Sequence, residues 1–189
     1  MIVMLSEVRK QKLTYLFMIL DSNKNGLLQP DDFVMVADKI CDILEYDEND
    51  KERLRLKLKA LRLFVQLLTD MGKSDVVVNL DEWYQLFDSR KVEPKSAKKY
   101  IFRTAAYIFN LFDQNEDRII SKKEYLDMFK IYNIDLQYSE VGFEKLDTNQ
   151  DGQISLMEMV NGFRDFLMSS DPDAAGNWIF GDWKSISAA

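Results

Sequence analysis

The chain has 189 residues, 47% of them apolar and 12% aromatic, enough for a sizeable core in one large domain or two closely packed halves. Seven glycines and three prolines argue against a turn-dense β architecture and for long helices. A formal net charge of -7 disfavours nucleic acid and anionic membrane as partners, and the absence of histidine removes Cys/His zinc sites and histidine-based catalytic triads.

The single cysteine, Cys41, cannot form an internal disulfide and reads as a small apolar helix residue. Met1-Ile2-Val3-Met4-Leu5 is too short for a secretion signal and lacks a basic leader. No apolar run reaches the roughly 18 residues that span a bilayer, so the cytosol is the expected compartment.

In chain order, Leu13, Leu16, Phe17 and Leu20 fall at i, i+3, i+4 and i+7 and predict a helix. It runs into Asp21-Ser22-Asn23-Lys24-Asn25-Gly26, followed by Leu28 and Asp32. Helix periodicity then restarts at Phe33, Val36, Ala37 and Ile40. Strong helix formers predict a long helix over 51–68, despite the strand-like alternation of Leu54-Arg55-Leu56-Lys57-Leu58. Its expected core stripe is Leu54, Leu58, Leu61, Val65 and Leu68, and its basic face is either solvated or open to a membrane or a partner.

Val78-Asn79-Leu80-Asp81-Glu82 repeats the back half of the first loop. Counted back, that loop opens with Met71 and Lys73, which cannot chelate a cation, so it is expected to be kept for structure. The charged stretch 89–96, broken by Pro94, reads as a linker, with Ser96 placed to cap the next helix. Ala105, Ile108, Phe109 and Phe112 predict a helix leading into Asp113-Gln114-Asn115-Glu116-Asp117-Arg118, then Ile120 and Glu124, then helical Tyr125, Met128 and Phe129. Asp147-Thr148-Asn149-Gln150-Asp151-Gly152, Ile154 and Glu158 repeat the pattern.

Three helix–loop–helix units with D-x-N-x-[DN] openings, and a fourth that keeps only the back half of the loop, are EF-hands. They pair through a short strand at the aliphatic position. The expected fold is therefore all-α, with two lobes over 1–92 and 97–189, the second carrying a C-terminal tail.

Calcium is a hard cation that takes six to eight oxygens, which a twelve-residue loop offers from positions one, three, five, seven and twelve, with nine often acting through water. In the last loop Asp147, Asn149, Asp151, the Gln153 carbonyl and Glu158 meet every requirement, with Ser155 at nine and Gly152 for the left-handed turn. The loop 113–124 supplies Asp113, Asn115, Asp117, the Ile119 carbonyl and Glu124, with Ser121 at nine. Arg118 stands where glycine is expected, at a cost of about 1–2 kcal/mol, or roughly tenfold to thirtyfold in affinity. The loop 21–32 supplies Asp21, Asn23, Asn25, the Leu27 carbonyl and Asp32, with Gln29 at nine. Only Asp21 and Asp32 are charged, and Asp32 is one methylene shorter than glutamate, so this loop is expected to be the weakest for Ca2+ and open to Mg2+.

With these residues in place, the chain resembles the sarcoplasmic calcium-binding protein and calexcitin group. The resemblance lies in its length and in its order of active, silent, active and active hands. It lies also in Asp113-Gln114-Asn115-Glu116-Asp117 running into Ile120-Ser121-Lys122-Lys123-Glu124-Tyr125, and in the ending Asp165-Phe166-Leu167-Met168 with Gly176-Asn177-Trp178-Ile179-Phe180-Gly181. The resemblance implies a compact cytosolic binder of calcium, often also of magnesium, that buffers or modulates signals, with its tail folded back between the lobes. Trp178, Ile179, Phe180 and Trp183 independently favour burial, at roughly 1.5–3 kcal/mol each. The same fold group includes coelenterazine photoproteins, which use histidines that this chain lacks.

Three functions remain open at this stage: a calcium buffer, a sensor exposing an apolar groove to a protein target, and a carrier of a small apolar ligand. No nucleophile–base pair points to an enzyme, and a monomer is expected.

Overall fold

The computed structural model describes residues 5–88 and 94–188. Helix α1 (Glu7–Leu20) begins where the Ser6 hydroxyl accepts the Arg9 amide, and ends at Asp21 as the first loop opens. Pro30 starts α2 (Pro30–Ile43), a position where its missing N–H is not needed. Asp50 caps α3 (Lys51–Met71), which stops at Gly72 in the left-handed conformation, φ 64°. Asn79 caps α4 (Leu80–Leu86). Then come α5 (Pro94–Phe112), β1 (Ile119–Ile120), α6 (Lys122–Ile131), α7 (Ser139–Leu146), β2 (Ile154–Ser155) and α8 (Leu156–Met168). Short 3-10 turns at Leu136–Tyr138, Ala175–Trp178 and Trp183–Ala188 complete the described chain.

The loops pair as the aliphatic positions require. Leu28 and Val78 exchange backbone hydrogen bonds of 2.8 and 3.0 Å, joining the first and second hands. Strands β1 and β2 pair antiparallel, Ile119 with Ser155 and Ile120 with Ile154, joining the third and fourth. Leu28, Val78, Ile120 and Ile154 are all buried, so each pairing is sealed from water.

Two expectations are corrected. Helix α3 buries Leu56, Ala60, Phe64, Leu67 and Leu68, while Leu54, Leu58 and Val65 stand in solvent. Both stripes satisfy helical spacing; the Phe64 stripe wins because it meets α2, where the Phe64 and Phe33 rings lie 4.9 Å apart. The basic residues of α3 are also engaged: Arg53 and Lys57 reach Asp38, and Arg55 and Lys59 reach Glu116. The second correction concerns the linker. Residues 89–93 lie outside the described residues, and α5 starts at Pro94, so Ser96 falls inside the first turn instead of capping it.

The tail is held by α1 from the opposite end of the chain. Lys12, fully buried, donates to Asp165 O (3.0 Å), Ser169 O (2.8 Å) and Asn177 Oδ1 (2.7 Å), which uses all three ammonium protons. Tyr15 donates to Phe180 O at 2.6 Å, and Tyr125 of α6 donates to Ile179 O at 3.0 Å. Phe180 is buried edge-on to Phe163 and Phe166, with Ile179 and Trp183 buried beside it and Trp178 only half-buried. Among the described residues no helix is long and apolar enough to cross a membrane.

Candidate metal centres

In the three D-x-N loops the same local chemistry curls the backbone around a central point. In the first, Asp21 accepts the Asn25 amide (3.2 Å) and the Gly26 amide (2.8 Å), Asn23 accepts the Asn25 amide (3.0 Å), and Asn25 accepts the Leu27 amide (2.9 Å). Asp113, Asn115 and Asp117 repeat this with the amides of Asp117, Arg118 and Ile119, and Asp147, Asn149 and Asp151 with those of Asp151, Gly152 and Gln153. These Asx turns explain why short amide and carboxylate side chains stand at positions one, three and five.

The closing residue comes from the first turn of the following helix. Glu124 accepts the Gln114 amide (3.0 Å) and the Ser121 amide (2.9 Å), bridging both ends of its loop. Glu158 does the same with Thr148 (2.9 Å) and Ser155 (2.9 Å). Asp32, though shorter, spans its loop with both oxygens, accepting the Asn23 amide (3.2 Å) and the Gln29 amide (2.9 Å).

The structure thus brings together the side chains of Asp21, Asn23, Asn25 and Asp32, of Asp113, Asn115, Asp117 and Glu124, and of Asp147, Asn149, Asp151 and Glu158. Leu27, Ile119 and Gln153 sit at the seventh positions, where a backbone carbonyl is the donor.

The electrostatics test whether a cation fits. The first and twelfth carboxylates of all three loops are buried. Among the described residues no Lys or Arg pairs with them, and buried anions without a counter-charge are costly. Burial accordingly pushes the Asp32 and Asp113 carboxyls above the usual carboxylate range. At Glu158 burial has the same tendency, but hydrogen bonds from Ser155 and Thr148 outweigh it and hold the group below that range. Hard oxygen donors, clustered negative charge and no internal counter-ion fit a hard divalent cation. Among the described residues no group of three or more His, Cys, Asp or Glu side chains is already drawn together tightly enough to hold a metal ion.

The second loop is the internal control. Lys73, at its third position, places its ammonium on Glu82 at the twelfth and 3.1 Å from Asp75 at the fifth. The Lys73 pairing holds the Glu82 carboxyl below its usual range. A protein cation thus stands among the residues that would otherwise receive a metal. Sequence reasoning disqualified Lys73 as a ligand but missed its role as a counter-ion, which only the side chain's path reveals.

Backbone angles separate the loops further. Gly26, Arg118 and Gly152 at position six adopt φ of 81°, 69° and 79°, so Arg118 takes the left-handed turn normally left to glycine. Lys24, Glu116 and Gln150 at position four are left-handed as well, a requirement the sequence pattern did not signal. In the second loop only Gly72 has positive φ among the described residues, and β-branched Val76 occupies position six.

Comparison with known proteins agrees with this geometry. The family model described as "EF hand" matches residues 141–163, which contain the whole loop 147–158. No curated protein matches the chain by sequence. Among solved structures, the calcium-loaded apo form of the coelenterazine-binding protein from Renilla muelleri has 20% identity and a TM-score of 0.77, covering 94% of this chain and 99% of its own. The sarcoplasmic calcium-binding protein from amphioxus has 18% identity and a TM-score of 0.67, covering 94% and 98%. The magnesium-loaded apo form of berovin, a ctenophore photoprotein whose three calcium-binding loops all bind magnesium ions, has 18% identity and a TM-score of 0.60, covering 83% and 87%. At these identities the likeness is one of fold, and the fold is that of EF-hand calcium-binding proteins.

Proposed function

We propose that this EF-hand chain is a calcium buffer or signal modulator that takes Ca2+ into the loops 21–32, 113–124 and 147–158, with Mg2+ competing most strongly at 21–32. The observation that carries the metal reading is the contrast between loops: three bury uncompensated carboxylate pairs, and the fourth supplies its own ammonium. Asp147, Asn149, Asp151, Gln153 O and Glu158 would form the strongest site, with three carboxylates and Gly152 at the turn. Bound there, calcium would supply the charge that the carboxylates lack and cross-link the two helices flanking the loop.

Buffering is favoured over target binding because the tail, with buried Ile179, Phe180 and Trp183, occupies the apolar space against α1, α7 and α8. A carrier role is disfavoured by volume. The apolar cavity between Leu16, Phe33, Trp83, Ile108 and Phe163 measures about 40 Å³, whereas small-molecule sites commonly run to roughly 300–1,000 Å³. One observation favours a second reading, engagement of a protein target: Leu54, Leu58 and Val65 form an exposed apolar stripe on α3.

Calorimetric calcium titration, repeated in millimolar magnesium, tests the sites, with three binding events expected. Adding calcium with ANS present tests the mode of action. The dye should stay dark for a buffer, and bright calcium-dependent fluorescence would overturn that reading in favour of a sensor.

A further inference from the structure

Helix α3 enters the silent hand, yet its cations end on another hand. Arg55 Nη2 lies 2.5 Å from Glu116 Oε1, and Lys59 Nζ lies 3.6 Å from the same oxygen and 3.4 Å from Asn110 O. Glu116 is position four of the third loop, held left-handed at φ 58°. The crevice between α3 and this loop is lined by Glu52, Arg55, Lys59, Asn110, Asp113 and Gln114, so it reaches the first two positions of the loop. Gln114 packs there with its Nε2 buried and without a partner. On the open side Lys59, Arg62 and Arg118 face the same segment. The corresponding residues of the other D-x-N loops are Lys24 and Gln150, which carry no negative charge, so the contact is particular to the third loop.

We propose that Arg55 and Lys59 are positioning residues that hold the third loop through Glu116, so that the entering helix of the silent hand sets that loop's calcium affinity. The inference rests on the third loop binding calcium. Its physical basis has two parts. The clamp orders the loop before the ion arrives, which removes part of the ordering penalty from binding. Glu116 also offsets two cations that would otherwise repel a divalent ion arriving beside them. Through this contact, occupancy of the third loop bears on the N-terminal pair of hands.

The test follows each site separately by NMR, through the amide of Arg118 for the third loop and that of Gly152 for the fourth. Glu116→Gln should lower third-loop affinity about two- to fivefold, the range of an exposed ion pair, and leave the fourth loop unchanged. In an Arg55→Gln/Lys59→Gln background the same change should lose most of its effect. An equal effect in both backgrounds would overturn the clamp and leave only the charge of Glu116. A second readout is hydrogen exchange over 55–62. Calcium should slow it in the unsubstituted protein and not in Glu116→Gln, and no calcium response in the unsubstituted protein would also count against the proposal. An Arg118 amide that ignores calcium in the unsubstituted protein would instead remove the third site itself, a distinguishable failure.

Discussion

Glu158 receives the Ser155 and Thr148 amides and both their hydroxyls, so every neighbour in reach is a donor. A carboxylate satisfies them all; the amide of glutamine turns an N–H2 toward donors and removes a charge. Glu158→Gln is therefore expected to abolish the tightest step of a calorimetric calcium titration, and an unchanged isotherm would refute the ranking of the loops. Arg118 raises a different issue. It holds φ 69° in the folded loop, a conformation that glycine adopts without a Cβ penalty. Arg118→Gly should then stabilise the protein by about 1 kcal/mol, seen as a rise of roughly 2–4 °C in melting temperature; a fall would show that Arg118 makes compensating contacts. The turn-forming positions of the loops were legible because D-x-N-x-[DN] imposes its own local turns. The roles of Lys73 and Glu116 were not, because each depends on where a long side chain lands, Lys73 on Glu82 across its own loop and Glu116 on Arg55 of α3.

At the scale of elements, helix–loop–helix repetition named the hands, and the aliphatic positions named the residues that join them. The face of α3 was misassigned because two apolar stripes of similar strength run along one helix, and only the position of α2 decides between them. The second hand keeps the architecture of the others with Lys73 at its third position. Leu28 and Val78 still pair, Asn79 still caps α4, and Lys73 neutralises Glu82. Glu82→Gln is thus expected to leave the calcium stoichiometry unchanged. Because the Lys73–Glu82 pair is only partly shielded from water, its loss should lower the denaturant midpoint only slightly. A missing binding event in that variant would show that the second loop is active.

For the whole molecule, the tail and α1 form one unit through Lys12. Burial lowers the Lys12 pKa to about 8, with Arg9 adding to the effect and Asp165 and Asp171 opposing it. The folded value lies below the unfolded one, so the unfolded chain binds more protons between those values and stability rises with pH there. Burial raises the pKa of Tyr15, Tyr125 and Tyr132, so the folded state keeps protons that the unfolded chain sheds, and stability falls above roughly pH 10. Stability is therefore expected to climb by about 1 kcal/mol between pH 8 and 10 before declining, measured by chemical denaturation across that range. Lys12→Met should remove the climb, and it should destabilise the protein by about 1–3 kcal/mol at pH 7, chiefly by leaving the buried Asn177 Oδ1 unpaired. A flat profile in the unsubstituted protein would contradict a buried Lys12.

By itself the amino-acid sequence determined the all-helical class, the four repeats and the residues that line each loop. All of these follow from periodicities and turn chemistry confined to a dozen neighbouring residues. Tertiary structure alone decided which face of α3 is buried, what the cations of that helix hold, and that Lys12 joins the two ends of the chain. Those outcomes depend on distances between residues far apart in sequence, which no local pattern encodes.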